Sequence, residues 1–303
     1  MSFAQRSDVG SSRRLILASV AAMTLASASA RADDPTPQAV PRLGDGEHFV
    51  IDPVVDGVLI AGGVGFSYLL GLVLSTGEIQ PVPPGSPDKL LSIDRVAVTQ
   101  MIDPNAGTYS DIGMYSAYGY ALLDPILSGV RNGRRAALVD AIMYGESIAI
   151  TRAFTLATKI GVRRPRPIDY VNCGAGSTTG ACADTDLQLS FFSGHASTTG
   201  AISATATYLA FVRSGPRQAR PWITLGAGML LTAFVSYERV RSGEHFPTDV
   251  IMGSMAGAAI GVLVPHFHHR PHLQEKSYCA PPVWIGFEPR SNGTGAFTLS
   301  GRF

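Results

Sequence analysis

The run Phe191-Phe192-Ser193-Gly194-His195-Ala196-Ser197-Thr198-Thr199-Gly200-Ala201 opens a stretch that stays rich in Ala, Ile, Leu, Thr and Val to about residue 213. It lacks the period-2 alternation of a strand and exceeds a typical strand in length, so it reads as a helix. Ser-Gly-His at its start brings a hydroxyl, backbone N–H groups and an imidazole to the positive end of the helix dipole, a natural anion site. Five more stretches share this apolar character, at roughly 54–77, 112–130, 136–160, 221–238 and 248–265, separated by Pro, Gly and Arg clusters. The expected fold is therefore all-α, a six-helix bundle. Glycines in the first and sixth stretches, with Thr and Ser in the fourth, suit close helix approach.

Two further segments concentrate charge at helix ends. Lys159-Ile160-Gly161-Val162-Arg163-Arg164-Pro165-Arg166-Pro167 closes the third stretch, where cations favour the dipole and proline stops the helix. Arg239-Val240-Arg241-Ser242-Gly243-Glu244-His245-Phe246-Pro247-Thr248-Asp249 opens the sixth. If one helix holds both His245 and Asp249, the carboxylate can accept from one imidazole nitrogen and leave the other as a nucleophile. Pro247 suits a first helical turn, which instead places His245 near the cap. Together the segments offer three cations for a tetrahedral oxyanion, two histidines and one carboxylate. They contain neither the Asp/Glu/His cluster of a two-metal phosphatase nor a Walker loop, so the expectation is a phosphate pocket with no metal.

Of the 303 residues, 46% are apolar and 16% charged, and the formal net charge is +1. This excludes a disordered chain and gives no basic stripe for nucleic acid. A mean hydropathy of +0.18 lies on the border between soluble and membrane proteins. Residues 1–32 read as a signal peptide, with Arg6, Arg13 and Arg14 before the uncharged run Leu15 to Ala30 and a small-residue site at Ala30-Arg31-Ala32. Ser12-Arg13-Arg14 also has the look of a twin-arginine signal. Residues 33–50 form a Pro-rich linker, 51–270 the helical catalytic domain, and 271–303 a β tail with a hairpin turned at Asn292-Gly293. In an oxidising compartment Cys173 and Cys182 could close a loop of about ten residues as a disulfide, or remain free thiols. Cys279 has no evident partner.

These motifs resemble the type 2 phosphatidic acid phosphatase superfamily, which includes bacterial non-specific acid phosphatases and vanadium-dependent haloperoxidases. Its pattern, K-x6-R-P, then P-S-G-H, then S-R-x5-H-x3-D, is matched at nine of eleven fixed positions. Phe192 replaces the motif proline and Glu238 the motif serine. The resemblance implies that His245 attacks phosphorus, that Asp249 orients it, and that His195 serves as acid and then base. It assigns Lys159, Arg166, Ser193, Gly194 and Arg239 to the phosphoryl oxygens, and implies no cofactor. The activity it implies is hydrolysis of a phosphomonoester or a lipid (di)phosphate; vanadate-dependent halide oxidation, with vanadate held at His245, and an inactive envelope protein are the alternatives.

The segments pull in two directions on location. Only Gly57 to Gly77 is uncharged over an easy span, Asp124-Pro125 interrupts the second stretch, and Asp140, Glu146 and Arg152 burden the third. These features favour an exported periplasmic or peripheral bundle. Against that, Arg131, Arg134, Arg135, Arg213, Arg217 and Arg220 fall at the end opposite the motifs, the distribution of an integral protein with its site outward. A cleaved signal conflicts with that six-span orientation.

Overall fold

The structure is a computed structural model and describes residues 43–44, 48–76, 79, 82–173, 189–270, 284–289 and 295–300. The segment read as a signal peptide, most of the linker, Cys182, Cys279 and the Asn292-Gly293 turn lie outside the described residues. The first elements are two short paired strands, β1 (Leu43–Gly44) and β2 (Val50–Ile51). Helices follow: α1 (Pro53–Ser75), α2 (Ser92–Thr99), α3 (Ala106–Asn132), α4 (Arg134–Val162), α5 (Pro167–Asn172), α6 (Gly194–Ser214), α7 (Ala219–Arg241) and α8 (Pro247–His268). Strands β3 (Trp284–Pro289) and β4 (Gly295–Ser300) pair antiparallel, with Trp284 opposite Ser300. The chain is thus mostly helical, and α1, α3, α4, α6, α7 and α8 are each 21 to 29 residues long.

Local chemistry sets the ends of these helices. Asp52 caps α1 by accepting from the Val54 and Val55 N–H groups, and Pro53 supplies the first-turn φ. Gly133, at φ +90°, reverses the chain between α3 and α4 in one residue, a conformation L side chains rarely adopt. Contacts give the bundle two distinct ends. At one, Asp111 of α3 meets His195 of α6, and Ser110 meets Arg239 of α7. At the other, Arg213 pairs with Asp140, and Arg220 with Asp124.

The expected break at Asp124-Pro125 does not occur, since α3 runs through Pro125. The buried Asp124 carboxylate accepts from the Tyr120 and Tyr144 hydroxyls and from Arg220, so neither proline nor charge has to be expelled from the bundle. The core is formed by Phe49, Ile51, Val139, Met143, Tyr144, Ile202 and Leu209. Large apolar side chains also cover the outside: Leu59, Phe66 and Leu69 on α1, Leu122 and Ile126 on α3, and Met229 and Leu230 on α7 are exposed. Both α1 and α8 are long and apolar enough to cross a bilayer, where the sequence reading allowed only one easy span. An exposed apolar surface of this extent marks a face that contacts another protein, a ligand or a membrane.

Helices α6 and α8 approach closely along Gly253, Gly257 and Gly261. A Cβ on Gly257 would lie 1.9 Å from the Ser197 carbonyl oxygen, a backbone atom that cannot rotate away. Gly257→Ala is expected to lower stability by about 1–3 kcal/mol, the usual cost of overpacking. Gly226→Ala, where the added methyl meets nothing within 4 Å, should be neutral or stabilising. Thermal unfolding of both variants checks this.

Candidate active site

Five helix ends meet at the Asp111 end of the bundle. Lys159 sits in the last turn of α4, and Arg163, in a left-handed conformation, ends that helix. Pro165 and Pro167 then lead into α5, with Arg166 as its N-cap residue. Ser193 caps α6, its Oγ accepting from the Ala196 N–H, and its own N–H donates to the Asp249 carbonyl. Arg239 lies in the last turn of α7, and α8 starts at Pro247. His245 therefore lies just outside α8, as the proline reading anticipated, and no helical i,i+4 geometry links it to Asp249.

All eight residues assigned from the motifs are brought together. Arg166 and Arg239 are both buried and share the same oxygen of Glu244. His245 is buried, with Lys159, Arg239, Arg166 and His195 near enough to act on its charge. Gly194, the first residue of α6, follows Ser193 beneath them. Asp249 is fully buried, with one oxygen accepting from Arg164 at 2.5 Å and the other from the Phe246 N–H at 3.0 Å.

The expected hydrogen bond from His245 to Asp249 is replaced by a longer contact, 3.8 Å from Nδ1 to Oδ2. The cause is the capping geometry: Asp249 is the third residue of α8 and turns back to the Phe246 N–H. Ser190 fills the gap, donating to Asp249 Oδ2 at 2.5 Å with its Oγ 3.5 Å from His245 Nδ1. With Nδ1 on this side, Nε2 is the nitrogen left to face the cations.

Five participants escaped the sequence reading. Asp111 holds His195 Nε2 at 2.7 Å. Arg164 joins Asp249 to Asp94 and stacks over Phe246, 3.9 Å from the ring centroid. Asp94, from α2, accepts from the Thr248 N–H and hydroxyl, capping α8 from another segment. Ser190 and Glu244 complete the set. Glu238, the departure of greatest concern, turns away from the site and pairs with Arg241, which also holds Asp103.

Burial pushes the His195 imidazole down to about 4, with Arg239 and Lys159 acting in the same direction and Asp111 opposing them. Burial, reinforced by Lys159, Arg239, Arg166 and His195, holds His245 well below its ordinary value. Both imidazoles are thus neutral at neutral pH, and His245 is available as a base or nucleophile. Cys173 is disulfide-bonded, while its expected partner Cys182 lies outside the described residues.

Helix N-termini, buried guanidinium groups, a lysine and two neutral imidazoles gathered at one end of the bundle are an arrangement suited to an anion. Residues 140–272 match the family model described as the PAP2 superfamily, which bears out the resemblance carried by the motifs. Among solved structures the chain is similar to a transmembrane PAP2-type phosphatidylglycerolphosphate phosphatase from Bacillus subtilis. Identity is 17% over 70% of this chain and 94% of that one, with a TM-score of 0.41.

The Glu244 carboxylate occupies the donors of Arg166 and Arg239 that an incoming oxyanion would need. Glu244→Gln removes that competing charge and is expected to tighten binding of inorganic phosphate on the order of tenfold, about 1.4 kcal/mol. Calorimetric titration checks it; weaker binding would mean that Glu244 chiefly orients the two arginines.

Proposed function

We propose that this protein is a metal-independent phosphatase acting on a lipid phosphate or diphosphate through a phosphohistidine at His245. The observation that carries the reading is the convergence of Lys159, Arg166 and Arg239 on a buried, neutral His245. His245 Nε2 forms a bond to phosphorus as the ester P–O bond breaks, and His195 gives its proton to the departing oxygen. Water then attacks phosphorus as the P–N bond breaks, its proton passing to His195. Asp249, with Ser190 between, holds the Nδ1 side of His245 and favours the imidazolium formed in the first step. Lys159, Arg166, Arg239, the Ser193 hydroxyl and the Gly194 N–H offset the charge on the phosphoryl oxygens, a type of contribution typically worth several kcal/mol.

A lipid substrate is supported by an open apolar groove of about 850 Å³ between α6, α7 and α8, lined by Phe211, Val212, Leu225, Met229, Met255 and Val262 among others. Its wall includes Val250, next to Asp249, and Ser236, one turn of α7 before Arg239. A hydrocarbon chain in this groove would place its phosphate at the site. We further propose that the bundle is embedded in the membrane through its exposed apolar faces. The arginines of the opposite end favour that end inside and the site outside. In that orientation the chain enters α1 from the inner side, so this reading sets aside the cleaved signal that residues 1–32 suggest. A carbonate wash that leaves the protein in the membrane pellet supports embedding; release into the wash supports the peripheral alternative.

Detergent-solubilised protein should hydrolyse a lipid phosphate in EDTA, be inhibited by vanadate, and lose turnover at least a thousandfold in His245→Ala. Halide oxidation after vanadate loading, with no phosphate release, would instead favour the peroxidase reading. Because His195 must carry a proton to act as acid, kcat/KM should fall as pH rises above its low free-state value. Asp111 raises that value, so Asp111→Asn should move the alkaline limb to lower pH. An unmoved limb would remove His195 from the acid role.

A further inference from the structure

Far from the phosphate pocket, three helices bring Asp56, Glu146 and His268 together, with one potential ligand atom from each lying within 4.8 Å of the others. Asp56 is in the first turn of α1, Glu146 in the middle of α4 and His268 at the end of α8. Glu146 precedes Lys159 by thirteen residues, about 20 Å along α4 at 1.5 Å per residue. The cluster therefore cannot share the phosphoryl chemistry.

The geometry is that of a ligand set. His268 Nδ1 lies 2.8 Å from the Val264 carbonyl oxygen, so it carries the proton and donates. That turns Nε2 toward the two carboxylates, within 3.3 Å of Asp56 Oδ1 and 3.7 Å of Glu146 Oε2. Ligand atoms about 2.1 Å from a tetrahedral ion stand roughly 3.4 Å apart, which these separations bracket. Asp56 is fixed by the Asp52 N–H, which donates to its other oxygen at 2.8 Å, the second-shell support expected of a ligating carboxylate.

Glu146 supplies the independent sign that something binds. It is 1% exposed, and its Oε1 has no hydrogen-bond partner among the described residues. A buried carboxylate oxygen left without a donor is costly. Two carboxylates and an imidazole offer a divalent ion three ligand atoms and the negative charge that matches it. The imidazole selects a transition ion over Mg²⁺ or Ca²⁺.

We propose that Asp56, Glu146 and His268 bind one divalent transition ion such as Zn²⁺, joining the outer helix α1 to α4 and α8. The ion is structural, with the remaining coordination position left to water. The test uses the full chain in detergent, stripped with EDTA and titrated with Co²⁺ as a spectroscopic probe and then with Zn²⁺. One Co²⁺ per chain, with the visible d–d bands of a low-coordinate N/O site that Zn²⁺ abolishes, is expected. Zn²⁺ should raise the unfolding temperature by several degrees. Glu146→Gln and His268→Ala should each abolish the bands and the shift while keeping the helical circular dichroism. Absence of both signals in the unmodified chain overturns the proposal, as does undiminished binding in both variants. Phosphate release measured in EDTA reports separately on the catalytic reading, which this inference does not need.

Discussion

The buried carboxylate of Asp249 and the arginine that meets it are what the site depends on. A carboxylate removed from water has to be satisfied by donors, and Asp249 gathers Arg164, Ser190 and the Phe246 N–H. Arg164 passes the constraint on to Asp94, which caps the α8 backbone at Thr248. One connected network thus fixes the segment after α4, the segment before α6, the short helix α2 and the start of α8. His245 is placed because its neighbours on both sides have no freedom to move. Truncating Arg164 would leave two buried carboxylates short of a donor, so its influence on the site is expected to exceed its distance from any reacting atom.

Much of this was legible in the sequence, for identifiable reasons. Apolar stretches without strand alternation and too long for strands gave helices, and Pro247, Ser193 and the Lys159–Pro167 run marked their ends by the same capping rules the structure follows. Short spacings tied the three charged segments to helix termini, and the family resemblance picked out the eight residues among them. Asp94, Asp111 and Ser190 were invisible because their partners lie 154, 84 and 59 positions away, at Thr248, His195 and Asp249, so no local pattern reports them. Asp56, Glu146 and His268 were hidden in the same way. The Asp124-Pro125 pair misled because its cost was judged without Tyr120, Tyr144 and Arg220, all supplied by tertiary packing or the preceding turn.

The bundle therefore separates two kinds of work along its axis. At one end, cations and neutral imidazoles are collected where helix termini converge, with Asp249, Glu244 and Asp111 balancing them. At the other end, acids buried between helices hold arginines and a histidine in structural pairs. Between the two ends the outer faces are apolar, and an apolar groove opens among α6, α7 and α8. Under the proposed function this layout links location, substrate class and chemistry, because a phosphate at the end of a lipid would meet the cations where the apolar faces stop.

The central claim is that His245 is the atom donor to phosphorus. Rapid mixing of the solubilised protein with a lipid phosphate, an alkaline quench that preserves phosphoramidates, and peptide mass spectrometry address it directly. A phosphoryl group on the peptide carrying His245, formed and lost at rates consistent with turnover and accumulating when His195 is replaced by Gln, is the predicted result. Sustained turnover with no phosphoryl adduct on His245 under the same quench would contradict it.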